Sequence, residues 1–140
     1  MKKVISVLMC LLLCFTFSIT ASAETIPTKT AQPYYEMAFI AESKLSINGT
    51  TAICESILRG DPNLIKIVAV QTLEKQGFLW IWDTYDDTEW TNTVYTNTLT
   101  MSNTKSGLSS GKYWLKTVFT LTDKLGDTEN ITVYSDEKKV

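Results

Sequence analysis

The chain of 140 residues contains no histidine. That absence excludes Ser-His-Asp and Cys-His catalysis in their ordinary forms. It also excludes the usual zinc, copper and non-haem iron ligand sets, which lean on imidazole. Catalysis, if there were any, would have to run on carboxylates, Tyr, Lys or a lone thiol, and no catalytic motif stands out. Cysteine is nearly as scarce, with only Cys10, Cys14 and Cys54. Basic residues are scattered (Lys44, Arg59, Lys66, Lys75, Lys105, Lys112, Lys116, Lys124), and beyond the N-terminus only Lys138 and Lys139 adjoin. No electrostatic footprint for nucleic acid results. After the first segment no stretch keeps a 3.6-residue apolar period, which argues against helices. There is no internal repeat and no second domain.

What is present is clearest at the start. Lys2 and Lys3 precede an apolar run from Val4 to Ile19, and Ala21-Ser22-Ala23 follows. A charged segment, an apolar segment and a small-x-small site are the pattern of a secretory signal peptide. A membrane anchor is the alternative, and the apolar run is near the lower limit for spanning a bilayer. The Ala-Ser-Ala site and the polar, Pro-containing segment after it favour cleavage over residues 1–23. The mature chain would then begin at Glu24, with 117 residues (140 less 23) and an extracellular location. Cys10 and Cys14 would leave with the signal. Neither follows a small residue as a lipoprotein cysteine does, and no stable membrane anchor is expected after cleavage. One cysteine cannot form an internal disulfide, so the domain must be held by its core. Without Lys2 and Lys3, 11 basic residues face 15 acidic ones, a net charge of −4 that serves solubility.

Residues 24–33, with Pro27 and Pro33, read as a flexible linker, and residues 34–140 as one domain. Phe39, Ala41, Ser43, Leu45 and Ile47 alternate up to a hairpin signal at Asn48-Gly49. Thr51–Leu58 follows, with Ala52, Cys54, Ser56 and Leu58 on one side, until Gly60-Asp61-Pro62-Asn63 breaks it. Further strands are expected over Leu64–Glu74, Phe78–Tyr85, Asn92–Met101, Lys112–Thr122 and Thr128–Ser135. Asp86–Glu89 would be a polar loop, and Tyr95, Leu99 and Met101 would share one face of the fifth strand. The cleanest alternation lies at Tyr113, Leu115, Thr117, Phe119 and Leu121. Seven short strands with turn signals between them predict an all-β fold, an antiparallel β-sandwich of immunoglobulin type.

Three stretches carry a family resemblance. They are Leu45-Ser46-Ile47-Asn48-Gly49 running into Ala52-Ile53-Cys54, Gly111 through Val118, and Glu129 through Ser135, with Pro33-Tyr34-Tyr35 ahead of them. From Tyr34 to Lys139 the chain resembles an uncharacterised family of small exported proteins from Firmicutes, a domain of unknown function. The resemblance implies an extracellular compartment and a β-sandwich, and supplies no catalytic residues. Two features depart from it: the bulk of Phe78-Leu79-Trp80-Ile81-Trp82, and Gln71 between Ala69 and Leu73, which leaves the register of the third strand open. Tyr113, after a glycine at the start of the penultimate strand, is placed to close a corner by bonding to upstream backbone.

Aromatic residues are the leading candidates for binding. If Phe78–Tyr85 is one strand, Trp80 and Trp82 share a face. Exposed, they would form a platform, extended by Trp114, for sugar rings or a protein partner. Buried, they would fill the core. Asp83, Asp86, Asp87 and Glu89 place four carboxylates in seven positions, enough in principle for Ca²⁺. They lack EF-hand spacing, and a solvated turn explains them equally. A carboxylate pair for glycoside hydrolysis is conceivable but has no evident cleft. No cofactor is implied. Cys54 among apolar neighbours reads as buried and inert. The sequons at Asn48 and Asn130 read as a hairpin turn and a strand. Together these features describe a secreted, non-catalytic binding module for an extracellular glycan or protein. A secreted effector of antimicrobial type is the alternative, and a small carboxylate hydrolase using Asp83, Asp86 and Glu89 comes last.

Overall fold

Side chains that alternate inward and outward, with β-branched and aromatic residues frequent among them, favour pleated strands with one buried face. The computed structural model describes residues 34–140 and realises this pattern throughout. The expected signal peptide and linker lie outside the described residues. The strands are β1 (Ala38–Asn48), β2 (Thr51–Gly60), β3 (Leu64–Gln76), β4 (Trp82–Val94), β5 (Thr98–Lys105), β6 (Lys112–Asp123), β7 (Thr128–Tyr134) and the two-residue β8 (Lys138–Lys139). They form two antiparallel sheets. One has the order β1-β2-β5; the other has the order β4-β3-β6-β7, with β8 paired to the start of β6. The sheets pack face to face as a β-sandwich, with β1 beside β7 and β4 beside β5 along the two sides.

The expected turns form where their chemistry demands. Gly49 has φ +58 in the two-residue link between Asn48 and Thr51, the left-handed backbone that tight hairpins require. At Gly60 the backbone passes so close to the Met37 carbonyl that a Cβ would lie 2.8 Å from it. The Tyr113 hydroxyl donates to the Ser109 carbonyl at 2.7 Å, so the tyrosine closes the corner ahead of β6 as its position suggested. Cys54 is fully buried. Desolvation pushes its thiol from 9.0 up to about 12, which leaves it a small hydrophobe.

Two segments depart from the sequence expectation. Asp86–Glu89 is not a loop between strands. It lies within β4, which bulges against β3, so that Thr72 pairs with Glu89 while Glu74 pairs with Thr84. The bulge is anchored by Thr88, fully buried, whose hydroxyl lies between the carbonyls of Leu73 and Tyr85. Asp87 takes φ +53 to turn the chain outward there. The stretch Asn92–Met101 is likewise not one strand. Asn92–Val94 ends β4, Tyr95-Thr96-Asn97 turns, and β5 begins at Thr98. Leu99 and Met101 are buried as expected, but Tyr95 sits on the turn and is exposed.

The core comprises two apolar clusters. One gathers Leu58, Ile67, Leu99, Phe119, Leu121 and Ile131 with smaller neighbours. The other gathers Leu45, Cys54, Leu73, Leu108, Tyr113 and Leu115. Between them runs a chain of polar side chains that crosses from sheet to sheet. Asn103 donates to the Gln71 side-chain carbonyl at 2.8 Å, and the Gln71 amide donates to Ser56 Oγ at 2.7 Å. Ser56 Oγ lies 2.7 Å from Thr117 Oγ1, and Ser43 Oγ lies 2.9 Å from the same atom. Gln71 therefore points inward, which settles the register of β3. Among the described residues no buried side-chain nitrogen or oxygen lacks a partner.

Removing the central hydroxyl isolates the groups on either side of it. Thr117→Val should cost about 1–3 kcal/mol, because a buried hydroxyl loses its partner without regaining water. Urea unfolding checks this as a lower midpoint at unchanged slope. Cys54 predicts a second behaviour. Its folded-state pKa lies above the unfolded one, so the unfolded chain releases this proton first. Stability is complete below about pH 9 and declines as pH rises towards 12. Thermal melts of the wild type and Cys54→Ala across this range should converge, and the native thiol should resist Ellman's reagent until the protein unfolds.

Candidate functional site

Alternation along β3, β4, β6 and β7 decides which side chains face away from the core at one end of the larger sheet. Trp82 of β4 sits opposite Gln76 of β3, and Glu74 of β3 sits opposite Trp114 of β6. Lys116 of β6 in turn sits opposite Tyr134 of β7. Because Leu73, Tyr113 and Leu115 point inward, all of these point outward. Trp82 and Trp114 are not on adjacent strands. Both indoles lean over β3 and stack, with ring centroids 3.7 Å apart and planes within 10°. Tyr134 continues the row, its centroid 5.0 Å from that of Trp114 at a tilt of 55°. Trp82 and Trp114 are half-buried and Tyr134 is exposed.

Glu74 lies at the foot of this row and is nearly buried. The Trp114 indole N–H donates to Glu74 Oε2 at 2.6 Å, and Lys116 Nζ stands 3.4 Å from Oε1. The carboxylate thus meets a charge-assisted hydrogen bond on one oxygen and an ammonium on the other. It holds Trp114 upright against Trp82. The surface that results offers aromatic faces and edges beside the polar ends of Gln76, Glu74 and Lys116. That mixture suits a ring with one apolar face and hydroxyls on its rim.

The structure separates Trp80 from this row. Phe78–Trp80 is a single 3-10 turn, not the start of a strand, and β4 begins only at Trp82. Trp80 and Trp82 therefore do not share a strand face, and the expected platform of Trp80, Trp82 and Trp114 does not form. The physical reason is the left-handed backbone at Leu79 and Trp80, with φ of 58° and 60°, which breaks the alternation. The turn is closed by Gly77 N–H to the Ile81 carbonyl at 2.7 Å and Ile81 N–H to the Phe78 carbonyl at 3.3 Å. Trp90, on the inward side of β4 opposite Gln71, packs against both core clusters.

The four carboxylates are dispersed. Asp83 sits opposite Lys75, Asp86 and Asp87 project from the bulge, and Glu89 sits opposite Thr72. Among the described residues no three acidic or thiol side chains converge to hold a metal ion. Sequence reasoning missed Glu74, Lys116 and Tyr134. The signal for Tyr134 was available, since Ile131 and Val133 inward places Tyr134 outward. Glu74 carried no such mark, because its importance lies in a partner 40 positions away.

No family model matches the chain, and no curated protein matches it. Among solved structures, the chain is similar to wild-type OgpA from Akkermansia muciniphila, with a TM-score of 0.38 and 11% sequence identity. The likeness covers 81% of this chain and 33% of that one, so this chain spans about a third of its length. A likeness of that size says nothing about what this protein binds or does.

The stacked pair has an optical signature. Two indoles held parallel at van der Waals distance should couple and produce an exciton couplet in the far-ultraviolet circular dichroism spectrum. Trp82→Phe and Trp114→Phe should each abolish it, and Glu74→Gln should weaken it. Trp80→Phe and Trp90→Phe should leave it in place.

Proposed function

We propose that this is an exported, non-catalytic binding module that recognises an extracellular glycan through the row Trp82, Trp114 and Tyr134. One observation carries the proposal. The aromatic row stands on the outward face of a sheet, where neither core packing nor a neighbouring strand accounts for it, and a partly buried carboxylate holds it in place. A surface needed only for solubility would not order two tryptophans in this way. A sugar ring would place its C–H face on the outer face of Trp82 and its hydroxyls towards Gln76, which sits opposite Trp82 on β3. Export rests on the charged, apolar and Ala-Ser-Ala pattern of residues 1–23.

The same proposal takes the sandwich to be of immunoglobulin type. Its support is the strand order, β1-β2-β5 in one sheet and β4-β3-β6-β7 along the main path of the other, with β5 returning to the first sheet beside β2.

Immobilised cell-wall polysaccharides and a glycan array test the proposal directly. The protein should retain at least one polysaccharide class. Trp82→Ala should weaken that binding about tenfold or more, the loss of one stacked aromatic contact together with its buried area. Tyr134→Ala should act in the same direction, while Trp90→Phe should not. Retention unchanged by Trp82→Ala, or no retention on any polysaccharide, refutes the glycan assignment.

A further inference from the structure

Tyr134, the last ring of the aromatic row, is also one wall of a groove. The groove has a volume of about 240 Å³ and lies between β1 and the segment that leads from β7 to β8, lined by Ser43, Lys44, Ser46, Tyr134, Asp136 and Lys138. It exists because the two sheets do not join on this side. Among the described residues β1 pairs only with β2, and β7 is the edge of the other sheet. The backbone groups on the free edge of β1 therefore add donors and acceptors to this side of the sandwich. Ser43 fixes the floor, since its hydroxyl is held between the Leu115 carbonyl at 3.3 Å and Thr117 Oγ1 at 2.9 Å.

We propose that this groove is a second subsite for the glycan, that it takes one neutral sugar residue, and that a single oligosaccharide reaches it from Trp82 across the row. The proposal rests on the glycan reading of the row. Continuity supports it first. Tyr134 belongs to both surfaces: its ring tilts towards Trp114 with centroids 5.0 Å apart, and half of the residue remains exposed beside the groove. Size supports it next. The volume falls below the ~300–1,000 Å³ of pockets that take drug-sized molecules, so the groove suits one ring and leaves the rest of the chain to the row.

Charge decides the kind of sugar. Lys44 faces Glu55 at 4.0 Å, and Glu137 is taken up by Lys112 at 3.2 Å. Lys138 and Asp136 then line the groove with one charge of each sign. A uronate or phosphate would be drawn by one and repelled by the other. The hydroxyls of a neutral sugar use both, donating to the Asp136 carboxylate and accepting from the Lys138 ammonium. The Ser46 hydroxyl can do either. A peptide added as a strand to β1 is a poorer occupant, because β7 and β8 both lie against β1 and stand across its free edge.

Isothermal titration calorimetry tests the proposal, using protein purified after expression of the full chain. The neutral probes are mono-, di-, tetra- and hexasaccharides of glucose, mannose, galactose and N-acetylglucosamine. Oligogalacturonides of the same lengths are the acidic probes. Affinity for a neutral series should rise about tenfold or more from disaccharide to hexasaccharide, because only the longer chain engages both the row and the groove. It should change little with salt. Asp136→Ala and Lys138→Ala should each weaken hexasaccharide binding about three- to tenfold, the loss of one hydrogen bond to a charged group. Ser46→Tyr, which fills the groove, should remove most of the gain with length. Each variant should keep the circular dichroism couplet of Trp82 and Trp114, which separates loss of the groove from loss of the fold. Hexasaccharide binding that Trp82→Ala abolishes but the Asp136, Lys138 and Ser46 variants leave intact overturns the groove subsite while the row stands. A hexasaccharide no tighter than its disaccharide overturns the proposal, as does a preference for oligogalacturonides that salt abolishes. So does failure of every series to bind, and if immobilised polysaccharides also fail to retain the protein, the glycan reading of the row falls with it.

Discussion

The constraint on which the rest of this domain depends is the polar chain that crosses its interior, from Asn103 through Gln71, Ser56 and Thr117 to Ser43. Apolar packing between two sheets is non-directional and tolerates small slips. A buried amide and three hydroxyls do not, because each loses its partner if one sheet moves relative to the other. The chain takes one member from each of β1, β2, β3, β5 and β6, so it links all three strands of one sheet to the two central strands of the other. It also divides the core into two apolar clusters. Among the described residues no disulfide joins the sheets, Cys54 being free, and these hydrogen bonds give a directional hold between them.

The outer surface inherits its geometry from that interior. Once Gln71 and Thr117 point inward, Glu74 and Lys116 must point outward on their strands, and so must Gln76 and Trp114. The β4 bulge then matters. By inserting Tyr85–Thr88 opposite Leu73, it carries Trp82 to the level of Gln76, from which its ring reaches over β3 to Trp114. Thr88 secures this displacement from within, and Glu74 secures Trp114 from without. The apolar turn at Phe78–Ile81 arises from the same segment: a left-handed step at Leu79 and Trp80 separates that turn from the row.

Strands with unbroken alternation were legible in advance. In Lys112–Thr122 the buried face is the one that the apolar residues mark; in Thr51–Leu58 the alternation was legible but not its inward side, because Ile53 and Ile57 lie on the exposed face and Ser56 on the buried one. The Asn48-Gly49 hairpin and the Tyr113 corner were legible for similar local reasons, since backbone sign and hydroxyl reach act over a few residues. Between Phe78 and Met101 local pattern failed. Phe78–Trp82 has the composition of a strand, and only the left-handed residues, which no propensity marks in Leu or Trp, show that it is a turn. Asp86–Glu89 has the composition of a loop, yet Thr88 finds its partner at Leu73 and is drawn into the sheet. Of the candidate site, Trp82 and Trp114 were legible, but their stacking was not, because they lie on strands that are not neighbours.

What the sequence by itself determined is the all-β character, the inward face of Lys112–Thr122, the absence of histidine chemistry and the burial of Cys54. Each follows from composition or from a period-two pattern, which are local quantities. The tertiary structure alone decided where Gln71 points, how β4 bulges, that Trp80 parts from Trp82, and that Glu74 braces Trp114. Those outcomes depend on hydrogen bonds and ring contacts between residues distant in the chain, whose partners exist only once the two sheets have closed on each other.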